Sequence, residues 1–240
     1  MTATICGYGS NQVGEGWLAR RRADNVTKYD KLFKLPPKFV YTASVNAATI
    51  AGVPADQRLG VFVYGVPNYR ASYPFLAYAP ASSVADQSTW RYLTGVDASG
   101  APQWSTDPAQ ATTLFNTGDG TGCVGEFSVS WVAPLQKWLM LYNCTSGVVA
   151  RYSATPWGPW SAPSTIFNPE SDNGLCHFIH DGGRNCDNTH EPGATNGGGL
   201  YAPFVLPRYT SGTSTAATIY YLMSTWNPYQ VVVMRATLTP

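Results

Sequence analysis

The sequence predicts an all-β fold made of four-stranded antiparallel units in series, and three observations predict it. The first is composition: 8 Trp, 15 Tyr, 23 Gly and 18 Pro, against only 15 Lys and Arg and 14 Asp and Glu, is the mix of short strands joined by turns. The second is a repeated segment. Val149-Ala-Arg-Tyr-Ser-Ala-Thr-Pro156 lies over Val233-Met-Arg-Ala-Thr-Leu-Thr-Pro240 without gaps, matching at Val, Arg, Thr and Pro, and Tyr73-Pro-Phe-Leu-Ala-Tyr-Ala-Pro80 keeps the terminal proline. The third is period-two alternation in the runs around these segments, the mark of half-buried strands rather than helices.

Taken in chain order, Trp17 to Arg22 and Lys31 to Leu35 read as the last two strands of a partial unit. A full unit follows, with strands at Phe39–Val45, Val61–Tyr64, Tyr73–Pro80 and Trp90–Thr94. The next has Glu126–Val132, Trp138–Tyr142, Val149–Pro156 and Thr165–Phe167. The last has Leu200–Leu206, Ile219–Met223 and Val233–Pro240, with no fourth strand after it. Serial four-stranded units are the blades of a β-propeller, so the expectation is one domain over residues 1–240 holding about three blades plus part of another. Spacing between units exceeds the ~40–50 residues of compact propeller repeats, which places long insertions between strands and keeps a β-sandwich with long loops as the alternative. A closed ring usually needs at least about four blades, and open sheets expose edges. The chain is therefore expected to lack an N-terminal blade section, or to be completed by a further segment or a partner chain.

The formal net charge is +1, and the basic run Arg20-Arg21-Arg22 is followed by Asp24, so no extended basic patch speaks for nucleic acid. No apolar run approaches the ~18 residues of a membrane span. Five cysteines and two glycosylation-type triplets, Asn25-Val-Thr27 and Asn143-Cys-Thr145, fit a secreted, extracellular protein, although no signal peptide is visible.

Glu126 heads an apolar strand, and alternation puts it with Ser128 and Ser130 on one face, Phe127, Val129 and Trp131 on the other. A carboxyl at the head of an inner strand faces the propeller mouth, where burial favours general-acid use; the alternative is a strand-end carboxylate bonded to backbone amides. Aromatic turns form a second group. Tyr69 and Arg70, and Asn227 and Tyr229, offer flat faces beside polar groups, which suits sugar rings. Trp157 and Trp160, set among Gly and Pro, read instead as packing residues. The loop Cys176 to His190 holds all three histidines, with a spacing that matches no standard zinc pattern; a Cys176–Cys186 disulfide is the preferred reading. A Ser-His-Asp triad stays open, but no Gly-x-Ser-x-Gly elbow, phosphate loop or dinucleotide fingerprint occurs. No cofactor and no metal is expected.

Lys38-Phe39-Val40, Asn68-Tyr-Arg-Ala-Ser72, Trp90-Arg-Tyr-Leu-Thr-Gly95, Gly125-Glu-Phe-Ser-Val129, Trp138-Leu-Met-Leu-Tyr-Asn143, Pro156-Trp-Gly-Pro-Trp-Ser161 and Ser224-Thr-Trp-Asn-Pro-Tyr-Gln-Val231, in that order, resemble the family called domain of unknown function forty-one eighty-five. The resemblance runs from about Trp17 to Pro240. It implies a five-bladed propeller, and kinship with mostly secreted bacterial and fungal proteins, some of which are endo-D-arabinanases that cut mycobacterial arabinan. It also matches His180 and Tyr201 to later motifs of the family. Taken with the aromatic turns, the expectation is a sugar cleft lined by Tyr69, Arg70, His180, Asn227 and Tyr229. One departure bears on activity: the Gly-Thr-Asp and Phe-Gly-Asp-Thr motifs usual at the front of the family are missing here, and their aspartates are the expected partners of Glu126. The implied function is a glycoside hydrolase-like domain acting on arabinan, with a non-catalytic carbohydrate-binding or structural propeller as the alternative.

Overall fold

The structure, a computed structural model, describes residues 3–5, 14–116, 122–144, 147–181 and 197–240. Among these the chain is all-β: sixteen strands, six short 3-10 turns and no α-helix. No helix among the described residues is long and apolar enough to cross a membrane. The chain divides into two compact units, one formed by residues up to 116 together with Thr155–Trp160, the other by the remainder.

The first unit holds two antiparallel sheets. Strands β1 (Ala3–Ile5), β2 (Glu15–Arg21) and β3 (Tyr29–Lys34) form one. Strands β4 (Tyr41–Asn46), β5 (Val61–Val66), β6 (Phe75–Ala79), β7 (Arg91–Val96) and β8 (Pro102–Ser105) form a five-stranded meander in chain order. A core of Leu18, Leu35, Phe39, Val63, Ala77, Trp90 and Tyr92 draws on residues of both. Burial of each large apolar side chain there is worth about 1.5–3 kcal/mol. The opposite side of β5 is aromatic: Phe62 meets Trp157 at 6.5 Å between ring centroids, and Tyr64 meets Trp160 at 6.4 Å. Trp157 also donates to the Gly100 carbonyl at 3.2 Å. Both tryptophans are buried, as the packing reading of that turn expects. The basic run ends in a local pair, Arg22 bonding both Asp24 carboxylate oxygens at 2.8 and 2.9 Å.

In the second unit, β9 (Phe127–Val132), β10 (Lys137–Cys144), β11 (Gly147–Ser153) and β12 (Ser164–Phe167) form an antiparallel sheet in the order β12-β11-β10-β9. The other sheet is built on the long strand β15 (Ala217–Trp226), which pairs with β13 (Gly199–Val205), β14 (Ser211–Gly212) and β16 (Gln230–Leu238). The sheets share one core: Leu139, Leu141, Val148 and Ala150 from the first meet Leu200, Val205, Ile219, Tyr221 and Met223 from the second. Strand β16 alternates strictly, with Val232, Met234 and Ala236 packed on that core and Val231 and Val233 exposed.

The strands expected from the sequence are all present, with ends displaced by a few residues, and the three expected hairpins β5–β6, β10–β11 and β15–β16 are antiparallel pairs. Strands β1, β8 and β14 were not anticipated; they are 3, 4 and 2 residues long, too short to carry periodicity. Each sheet is open rather than closed on itself.

Candidate functional site

The strand β9 begins one residue after Glu126, and the ladder changes character there. Gly125 donates its N–H to the Asn143 carbonyl at 3.1 Å, while Asn143 donates to the Glu126 carbonyl at 3.2 Å. Two residues of one strand thus oppose one of the other, a β-bulge, the device by which sheets re-aim a side chain at their rims. From Phe127 onward the register is regular, with Phe127 opposite Tyr142 and Ser128 opposite Leu141. Glu126 is half-buried. The same end is clamped by a Cys123–Cys144 disulfide with 5.1 Å between the Cα atoms.

Ser128 and Ser130 do lie on the face opposite Phe127, Val129 and Trp131, but that face is interior. Both serines are buried, and the Ser128 hydroxyl donates to the Pro203 carbonyl at 2.8 Å and accepts from the Val205 N–H at 3.3 Å. Ser128 thus joins the two sheets of the unit.

His180 and Asn227 come together in the second unit. The His180 N–H donates to the Asn227 carbonyl at 3.0 Å, and the His180 carbonyl accepts from Gly198 at 2.7 Å. Gln230 fastens the same loop by donating to the Phe178 carbonyl at 2.6 Å. Asn227 has φ +51°, a conformation asparagine tolerates well. Glycine is required opposite: a Cβ on Gly198 would strike the carbonyl oxygens of Trp226 and Asn227. His180 is 1 % exposed, and neither ring nitrogen has a hydrogen-bond partner among the described residues. Tyr229, in the adjacent turn, is 84 % exposed. Tyr201 stands in β13 opposite Ser224.

Tyr69 and Arg70 belong to the first unit. The Arg70 guanidinium lies 5.0 Å from the Tyr69 ring centroid, and Tyr41 tilts against the same ring at 5.8 Å. Tyr69 keeps 39 % of its surface exposed. No carboxylate, histidine and cysteine cluster able to hold a metal occurs among the described residues.

Two features escaped the sequence. Cys176 is disulfide-bonded, but the expected partner Cys186 lies outside the described residues, and the Cys123–Cys144 bridge was not foreseen. Continuing the pairing from the Val132–Lys137 turn sets Cys144 opposite residue 125, two residues from Cys123. The glycosylation expected of the Asn143 triplet does not fit the fold, because the side chain is buried. Asn143 is 1 % exposed, and its carboxamide oxygen and nitrogen both lack hydrogen-bond partners among the described residues.

Against known proteins, the family model described as "Domain of unknown function (DUF4185)" matches residues 8–235. No curated protein matches the chain. Among solved structures, an α-L-arabinofuranosidase from Podospora anserina in complex with cellotriose shares 14 % identity at a TM-score of 0.30, covering 75 % of this chain and 46 % of that one. The catalytic domain of a Coprinopsis cinerea GH62 α-L-arabinofuranosidase shares 14 % identity at a TM-score of 0.31, covering 83 % of this chain and 58 % of that one. The chain thus spans about half the length of these structures. With the match of the family model over nearly its whole length, the chain belongs to the DUF4185 family.

Proposed function

We propose that this DUF4185 member is a glycoside hydrolase-like domain resembling endo-D-arabinanases, part of a five-bladed propeller that is secreted and acts on arabinan. The observation that carries the reading is Glu126: a half-buried carboxyl at a bulge, hydrogen-bonded through its backbone to a residue whose buried side chain has no hydrogen-bond partner among the described residues. In this role the Glu126 carboxylic acid gives its proton to the oxygen of the scissile glycosidic bond as that bond breaks. Cleavage needs a second carboxyl across the bond to stabilise or capture the sugar cation, or to activate water. That group is expected from a front segment or a partner chain. His180, Asn227 and Tyr229 bind sugar, and so do Tyr69 and Arg70.

The second reading, a non-catalytic carbohydrate-binding domain, keeps the same sugar contacts, among them the exposed ring of Tyr229, and needs no second carboxyl. Assaying release of reducing ends from D-arabinan separates the two. The 240-residue chain alone is expected to be nearly inactive, and a version extended by the family's front section active. In the extended protein Glu126→Gln should lower turnover by ~10²–10⁴-fold with sugar binding retained. Full turnover by that variant would remove Glu126 from the chemistry, and binding with no turnover in any version would leave the second reading.

A further inference from the structure

We propose that Asn143 is a sugar-contacting residue, its carboxamide taking a hydroxyl of the ring that lies against Glu126; this rests on the carbohydrate reading above. Native proteins pair about nine-tenths or more of their buried polar groups, so a 1 % exposed asparagine whose Oδ1 and Nδ2 both lack partners among the described residues calls for a guest.

Nothing in the fold asks for asparagine at this position. Alternation along β10 puts Asn143 on the face of Leu139 and Leu141, which covers the core, and its cross-strand neighbour on β11 is Val148. A leucine would continue that apolar face and leave nothing unpaired. The carboxamide is also held in place. The bulge fixes its backbone on both sides of the peptide, and the next residue, Cys144, is tied to Cys123. The side chain has little freedom to turn elsewhere for a partner, and what it presents is two N–H donors and one acceptor without charge. That set matches hydroxyls of a neutral sugar, and it does not discriminate in favour of phosphate or carboxylate. His180 repeats the pattern, following Ile179 of the same core with both ring nitrogens lacking partners among the described residues.

The test uses the full chain, with oligosaccharides prepared from D-arabinan as the probe, and compares wild type with Asn143→Leu by calorimetric titration and thermal melting. The expected result is a melting temperature unchanged or raised, and affinity down at least tenfold. Wild-type affinity in the variant would overturn the proposal, showing that the carboxamide holds only an internal water, while leaving the carbohydrate reading standing. Absence of glycan binding by the wild type would overturn both. Should the variant not fold, the side-chain amide resonances of Asn143 in labelled wild-type protein decide: they shift on titration if the proposal holds, and staying fixed while the glycan binds overturns it.

Discussion

The His180 N–H donates to the Asn227 carbonyl at 3.0 Å, tying a residue upstream of β13 to the turn between β15 and β16. Two stretches that lie 47 residues apart in sequence thereby become one polar corner, closed by Gly198 where no side chain fits. Gly198→Ala should therefore push the Trp226–Asn227 turn outward. Overpacking of this kind costs about 1–3 kcal/mol, so urea denaturation should show a loss of that size, with altered tryptophan fluorescence. A variant as stable as wild type would mean that the corner yields easily.

Tyr229 stands at the other extreme of burial, 84 % exposed, and its ring contributes little to the fold. Tyr229→Ala should change stability by no more than about 0.5 kcal/mol. If the ring receives a sugar face, affinity for an arabinan oligosaccharide should fall roughly 2- to 10-fold, the worth of one aromatic contact. Unchanged affinity would remove Tyr229 from the binding surface.

The disulfides set a thiol count. Cys123 and Cys144 are joined and Cys176 is disulfide-bonded, so two bridges take four of the five cysteines. Denatured, non-reduced protein should thus show one reactive thiol, and five would contradict both bridges. The Cys123–Cys144 bridge closes a loop of sequence separation 21, so Cys123→Ser with Cys144→Ser should lower stability by about 3 kcal/mol on the loop-entropy estimate.

Alkaline pH should unfold the protein. Burial pushes the Tyr152 hydroxyl up to about 12, and raises Tyr64 and Tyr221 well above the usual value of about 10. Raised folded values mean that the native state holds its protons more tightly than the unfolded state. Their contribution to stability is complete below about pH 10 and is lost as pH rises through the folded values. Phenolate absorbance should accordingly show these tyrosines ionising together with unfolding. Titration of every tyrosine near pH 10 with the fold intact would contradict the burial.

The alternating strands were readable because each has one face in a core. Strand β16 is the exception: its burial alternates, Val232, Met234 and Ala236 inward against Val231 and Val233 outward, while the sequence there is apolar on both faces. The repeated Val-Arg-Thr-Pro segment located β11 and β16. Alternation placed Ser128 and Ser130 on one face, but that this face is interior could not be read, because the Pro203 carbonyl that Ser128 bonds belongs to a strand 75 residues away. Within the candidate site, Glu126 could be picked out as the carboxyl heading an apolar strand. Asn143 could not, since its meaning lies in what its buried carboxamide lacks, and burial at a bulge follows from pairing between strands rather than from local pattern.

The central claim is that this chain recognises carbohydrate, and titrating arabinan, xylan and duplex DNA into the full chain at low and high salt tests it most directly. Charge-driven nucleic-acid binding weakens steeply with salt, whereas contacts of Tyr229, Asn227 and Asn143 with neutral sugar rings do not depend on counterion release. The account predicts binding of arabinan with nearly the same affinity at both salt concentrations and no binding of DNA at the higher one. Salt-sensitive DNA binding with no signal from either glycan would contradict it.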